Sequence, residues 1–247
     1  MKYIKWLVIS LLVIVVSLVA CTKVLSKKMP ATITGDGDAL AQKMLTALNM
    51  PAWDTLNYLQ WTFMGNHHYA WDKQSNIANI KWKKNEVILD LDQVDGVVFV
   101  DGVKITDAEK KQNLISKAWN FWCNDSFWMF APYKVMDPGT TREVVTIEQE
   151  PDKTGLKVTY GNGGVTPGDV YVWALDDDYM PTGYYMYVKI LPVKGVYTSW
   201  DNWVDINGAK LSTIHKNKMF DMEMKNLKGG ADVSSLDIQP SRLSISE

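Results

Sequence analysis

Apolar and polar positions change their spacing several times along the chain. Residues Trp6 to Ala20 form an uncharged apolar run of 15 residues, preceded by Lys2 and Lys5. Beyond a polar stretch, Leu40, Ala41, Met44, Leu45 and Leu48 recur at helical spacing, which predicts a helix over Ala39–Leu48 with Asp38 as its N-cap. A second helical stripe, Leu114, Ile115, Ala118, Trp119 and Trp122, follows the capping-box pattern Thr106-Asp107-Ala108-Glu109 and predicts a helix to about Phe121. Elsewhere the period falls to two. Leu59-Trp61-Phe63 and His67-Tyr69-Trp71 alternate with Gln60, Thr62, His68 and Asp72, the pattern of half-buried strands.

Ten further stretches read as strands: 76–82, 86–92, 97–100, 142–148, 155–160, 170–175, 183–190, 196–203, 209–216 and 219–227. With 56–65 and 67–72 they make about 10–12 strands in all. Asp95-Gly96, Asp101-Gly102, Gly161-Asn-Gly-Gly164 and Asn207-Gly208 supply hairpin turns between them. The fold class is therefore α+β: a large curved antiparallel sheet with an N-terminal helix and a helical insertion packed on its concave face. Val170 to Leu175 and Tyr184 to Val188 are apolar at successive positions, so those strands are covered on both faces or line a cavity.

The N-terminal pattern alters the domain picture. Two lysines followed by an apolar run is the layout of an export signal. As a helix the run is about 22 Å long, short of the roughly 30 Å hydrocarbon core, so a permanent span is not favoured. The run ends in Leu18-Val19-Ala20-Cys21, which resembles the lipobox of bacterial lipoproteins; that resemblance implies cleavage before Cys21 and acylation of its thiol, palmitate being one such chain. The expected organisation is a signal over 1–21, a flexible tether over 22–37, one domain over 38–228 and a loose tail over 229–247.

Charge and chemistry narrow the function classes. The formal charge is −2 from 26 basic and 28 acidic residues, with no basic footprint for nucleic acid. No His-x-x-x-His or Cys-x-x-Cys spacing exists, so no metal site is expected. Neighbouring His67 and His68 point to opposite faces of their strand. Cys123, among Phe121, Trp122, Phe127 and Trp128, reads as a small buried hydrophobe. Asp176-Asp177-Asp178 reads as a solvated turn, and the glycine-rich 161–168 stretch lacks the Lys-Ser/Thr of a phosphate loop. No catalytic residue and no cofactor is expected. What stands out is aromatic: 11 Trp and 11 Tyr against 6 Phe, rings that carry a polar handle.

Five strings, His67-His68-Tyr69-Ala70-Trp71-Asp72, Asn124-Asp125-Ser126-Phe127-Trp128, Asp137-Pro138-Gly139, Gly164-Val165-Thr166-Pro167-Gly168-Asp169 and Trp200-Asp201-Asn202-Trp203, resemble a family of uncharacterised Gram-negative lipoproteins. That family brings no established activity. The order of elements is also similar to the LolA-like and LolB-like outer-membrane lipoprotein carriers, whose incomplete barrel, closed by a helical lid, implies a half-barrel around an acyl-chain cavity.

The resulting expectation is a monomeric envelope lipoprotein, anchored through Cys21 and facing the periplasm or lying at the outer membrane. It binds a lipid or other hydrophobic ligand without covalent chemistry. Trp61, Phe63, Trp71, Trp119, Trp122, Trp173 and Tyr185 are the expected ligand wall. Two alternatives stand beside it: a carbohydrate-active or other hydrolytic envelope enzyme with two carboxylates about 5 to 9.5 Å apart, and a structural lipoprotein without a ligand.

Overall fold

The structure, a computed structural model, describes residues 22–147, 150–162, 167–218 and 220–245. The signal and its Cys21 lie outside the described residues. The chain enters through α1 (Gly37–Ala47) and the short α2 (Met50–Thr55). It then folds into the meander β1 (Tyr58–Phe63), β2 (His67–Asp72), β3 (Ile77–Trp82), β4 (Asn85–Asp90), β5 (Asp95–Val100) and β6 (Val103–Lys104). The long α3 (Ala108–Phe130) runs into a 3-10 turn over Ala131–Lys134. Eight strands follow: β7 (Thr140–Ile147), β8 (Glu150–Tyr160), β9 (Asp169–Leu175), β10 (Pro181–Tyr187), β11 (Val196–Ser199), β12 (Asp201–Ile206), β13 (Ala209–Lys216) and β14 (Asp221–Gly230).

The strands form two antiparallel sheets. One has nine strands in the order β12-β13-β14-β1-β2-β3-β4-β5-β6, and the other has five in the order β11-β10-β9-β8-β7. The α+β class and the large curved antiparallel sheet are thus as the pattern indicates, but the strands are shared between two sheets. The division falls inside the stretch 196–203, expected as one strand. At Trp200 the chain leaves β11 in the smaller sheet and enters β12 in the larger, with the Trp200 N–H donating to Thr182 O at 2.9 Å.

Two helix boundaries differ from expectation for identifiable reasons. Asp36, not Asp38, caps α1: its Oδ1 accepts from the Ala39 N–H at 3.0 Å, leaving Asp38 in the first turn to pair with Arg142. Gly37 is required there, because a Cβ would lie 2.5 Å from Arg142 O on β7. Asp107 caps α3, accepting from the Lys110 N–H at 2.8 Å. The helix continues nine residues past Phe121 to Phe130, since neither Gly nor Pro interrupts it before Pro132 and Trp122, Ser126, Met129 and Phe130 extend the buried stripe.

One continuous apolar core reaches from Met44 on α1 through Ile115 and Trp122 on α3 to Trp61 of the large sheet and Trp173 of the small one. The outer face of the small sheet carries a second cluster, Val145, Ile147, Val172, Ala174 and Tyr185. Residues of the 22–37 stretch run across that face. Lys27 Nζ lies 4.8 Å from the centre of the Tyr185 ring, the Thr32 hydroxyl donates to Glu143 Oε1 at 2.6 Å, and the Ile33 N–H donates to Val144 O at 2.9 Å. This explains why β9 and β10 are apolar on both faces. At the other end, Leu236 and Leu243 bury against Ala70 outside the large sheet, and the Asp237 N–H donates to Gln60 Oε1 at 2.8 Å.

Candidate functional site

Period two on β1 and β2 turns Leu59, Trp61, Tyr69 and Trp71 into the core, where α3 lies across them. Trp61 stacks on its cross-strand partner Tyr69 at 4.7 Å, Trp71 on Phe130 at 5.1 Å, and Trp122 meets Trp71 and Trp61 at 5.3 and 5.8 Å. Trp53 of α2 closes the group by stacking on Tyr133 at 4.4 Å. At its edge Lys73 donates to Trp53 O at 2.6 Å, and burial pulls the Lys73 pKa down to about 8. Trp61, Trp71 and Trp122 are therefore brought together, with Phe63 buried alongside and Trp119 half-buried.

The other two expected wall residues lie elsewhere. Tyr185 sits on the outer face of the small sheet beneath Lys27, because it alternates with Tyr184, which points inward. Trp173 faces a second aromatic group that sequence reasoning did not assemble. In this group Tyr184 meets Trp173, Trp200 and Tyr171 at 4.9, 5.6 and 5.0 Å, and Trp128 of α3 lies 5.5 Å from Tyr184. His215 of β13 packs edge-on to Trp200 at 4.3 Å, and Phe127 with Tyr160 extends the group toward β8. The group spans α3, the small sheet and β13.

Its polar atoms set it apart. Trp173 Nε1, Trp200 Nε1, Tyr184 OH, Tyr160 OH and His215 Nε2 are all buried without a well-formed hydrogen bond, against only Trp61 Nε1 in the first group; the Trp200 indole leans toward the Tyr184 hydroxyl and the Trp128 carbonyl toward the His215 ring. Burial raises the Tyr160, Tyr171 and Tyr184 phenols well above their usual range, each also feeling a neighbouring phenol or carboxylate. Burial pushes His215 down to about 4 against the opposing pull of the Ser199 and Trp128 carbonyls, so the ring is neutral at pH 7. Its Nδ1 faces Ser199 O at 3.3 Å, and because a carbonyl only accepts, the ring donates there. The group thus presents two indole donors, phenolic hydroxyls and a neutral imidazole inside an apolar wall. A ligand carrying both apolar bulk and oxygen atoms would match it.

A third constellation joins two of the strings singled out in the sequence. His67 Nδ1 lies 2.6 Å from Asp125 Oδ2, which also accepts from the Tyr69 hydroxyl at 2.5 Å; the Asn124 amide donates to Oδ1 at 2.8 Å. Asp125 is 2% exposed and the His67 ring packs on Phe121 at 4.0 Å. As expected, His68 points the other way, its Nδ1 3.0 Å from the Thr62 hydroxyl. An oriented imidazole beside a buried carboxylate is the base half of a catalytic arrangement. In the fold, the His67 ring and the Tyr69 hydroxyl together satisfy the buried Asp125 Oδ2.

The remaining candidates have local roles. Cys123 is a half-buried free thiol pushed up to about 11 by burial, the opposite of activation. Asp176 Oδ1 accepts from the Asp178 and Met180 N–H groups at 3.0 and 2.8 Å, closing the turn expected there. Among the described residues no cluster of three or more His, Cys, Asp or Glu could hold a metal, and no helix is long and apolar enough to cross a membrane.

No family model matches the sequence, and no curated protein matches it. Among solved structures, a DUF1329 family protein from Desulfovibrio piger ATCC 29098 is similar to the chain with a TM-score of 0.42 at 12% identity, covering 84% of this chain and 95% of that one.

Proposed function

We propose that this protein is a Gram-negative envelope lipoprotein, anchored through Cys21, that holds a hydrophobic ligand with acceptor oxygens between its two sheets, in the manner of the half-barrel carriers. It acts as a monomer and without covalent chemistry. The observation that carries this reading is the gathering of five buried polar atoms without a well-formed hydrogen bond in one aromatic group on α3, the small sheet and β13. A buried polar group left unpaired costs about 1–3 kcal/mol, and a native interior rarely gathers several in one place. A fatty-acyl ester or carboxyl group would supply acceptors to Trp173, Trp200 and Tyr184, while its chain replaced water on the surrounding rings at about 25 cal/mol per Å².

The test is direct. Protein extracted in mild detergent is examined by native mass spectrometry, and the delipidated protein is titrated with a fluorescent fatty-acid analogue while indole emission is followed. A lipid-mass adduct and saturable quenching are expected, with Trp200→Phe or Tyr184→Phe weakening binding about tenfold, one hydrogen bond's worth. An adduct-free protein that takes up no analogue overturns the reading in favour of a structural lipoprotein.

A further inference from the structure

The stretch 22–33 contains Lys23, Lys27 and Lys28 and no acid, and the β10–β11 loop 188–195 contains Lys189 and Lys194 and no acid. The two are bonded into one surface. The Lys27 N–H donates to Lys194 O at 2.9 Å, the Lys194 N–H to the Ser26 hydroxyl at 3.0 Å, and the Tyr187 hydroxyl to Lys28 O at 2.8 Å. A single helical turn over 22–25, closed by the Ser26 N–H on Thr22 O at 3.0 Å, leads into it. On this surface large apolar side chains face outward: Val24 is 84% exposed, Leu25 60% and Ile190 70%, with Met29 also exposed. Large aliphatic residues concentrated on one patch and interleaved with lysines are the composition of an interfacial membrane contact.

We propose that this patch docks on an anionic phospholipid bilayer, with Val24, Leu25 and Ile190 at the headgroup boundary and the lysines among the phosphates. The occupant follows from two facts. Lys23, Lys28 and Lys189 are exposed and complement an anionic surface, while Lys194 Nζ is bonded inward to Val188 O and Leu191 O and Lys27 lies over Tyr185; and Thr22 directly follows Cys21 and the apolar run Trp6–Ala20. The inference rests on the anchor reading above and adds an orientation to it: because 26–33 are bonded across the small sheet, the domain sits on the membrane by its β10–β11 corner instead of hanging from a slack leash.

The test uses the full chain reconstituted in vesicles of phosphatidylethanolamine and phosphatidylglycerol, with an environment-sensitive fluorophore at Val24→Cys, Ile190→Cys or, as control, Val103→Cys, which is 66% exposed on β6 of the large sheet. Quenching by lipids carrying a spin label on the acyl chain is expected to be at least threefold stronger at 24 and 190 than at 103. At 190 it is expected to fall at least threefold in phosphatidylcholine vesicles and in the Lys23→Gln/Lys28→Gln/Lys189→Gln variant. Equal, weak quenching at 190 and 103 in protein that resists carbonate extraction overturns the docking and leaves the anchor standing. Release by carbonate overturns the anchor, and the probes read before the wash still decide the docking.

Discussion

The neutral imidazole of His215 is the residue whose surroundings most constrain the molecule's response to pH. In the unfolded chain a histidine titrates near its ordinary 6.5; in the fold, burial lowers His215 to about 4. The unfolded state therefore binds a proton between these values that the folded state refuses, so the stability His215 contributes is fully present above about pH 6.5 and is lost as pH falls toward 4. At about 1.4 kcal/mol per unit, wild-type protein should lose about 2 kcal/mol from this group between pH 6.5 and 5, measured by urea unfolding, and His215→Phe should show that much less pH dependence. Unchanged slopes would contradict the assignment. Asp125 yields a second residue-scale expectation. Asp125→Ala strands the Tyr69 hydroxyl inside the core and should cost about 1–3 kcal/mol, whereas in a Tyr69→Phe background the cost should shrink because one orphaned donor is gone. Additive losses in that double-mutant cycle would mean that the 2.5 Å contact contributes little.

At the scale of elements, most of the fold is legible because the large sheet is a meander. Successive strands pair through short turns, so alternation and turn residues suffice to place β1 to β5, and the inward set Trp61, Tyr69 and Trp71 is the one that alternation names. What pattern does not reveal is where a strand leaves its sheet. Trp203 at the β12 end of the stretch 196–203 continues the apolar pattern, so nothing local marks Trp200 as the crossing point. The second aromatic group is illegible for the same reason: Trp173 and Tyr184 pair within the β9–β10 hairpin, but Trp200 at the β11–β12 crossing and His215 on β13 join them only through tertiary packing. Asp125 and His67 lie 58 residues apart and meet only because α3 crosses β2. The cap of α1 turns on a two-residue choice between Asp36 and Asp38 that composition cannot make. It is checkable: Asp36→Ala should cost about 1 kcal/mol by removing the bond to the Ala39 N–H. Asp38→Ala should cost less, since its pair with Arg142 is largely exposed on the Asp38 side.

For the whole molecule, the question is whether two sheets make one cooperative unit. The core is continuous through α3, which sends Trp122 to the large sheet and Trp128 to the small one. The chain's crossing point, Trp200, touches Trp173 and Tyr184 of the small sheet on one side and Trp203 and His215 of the large sheet on the other. A side chain so placed belongs to both sheets, so neither can open without exposing it. Denaturant unfolding should accordingly be a single transition, coincident by indole fluorescence and far-ultraviolet circular dichroism. Trp200→Ala tests the coupling more sharply than the wild type does. Truncating a fully buried Trp should cost about 3–5 kcal/mol. If the sheets unfold together, the midpoint drops while the slope with denaturant holds. If they are separate units joined only through Trp200, the slope falls and two transitions emerge, with the tryptophan-rich large sheet outlasting the small one.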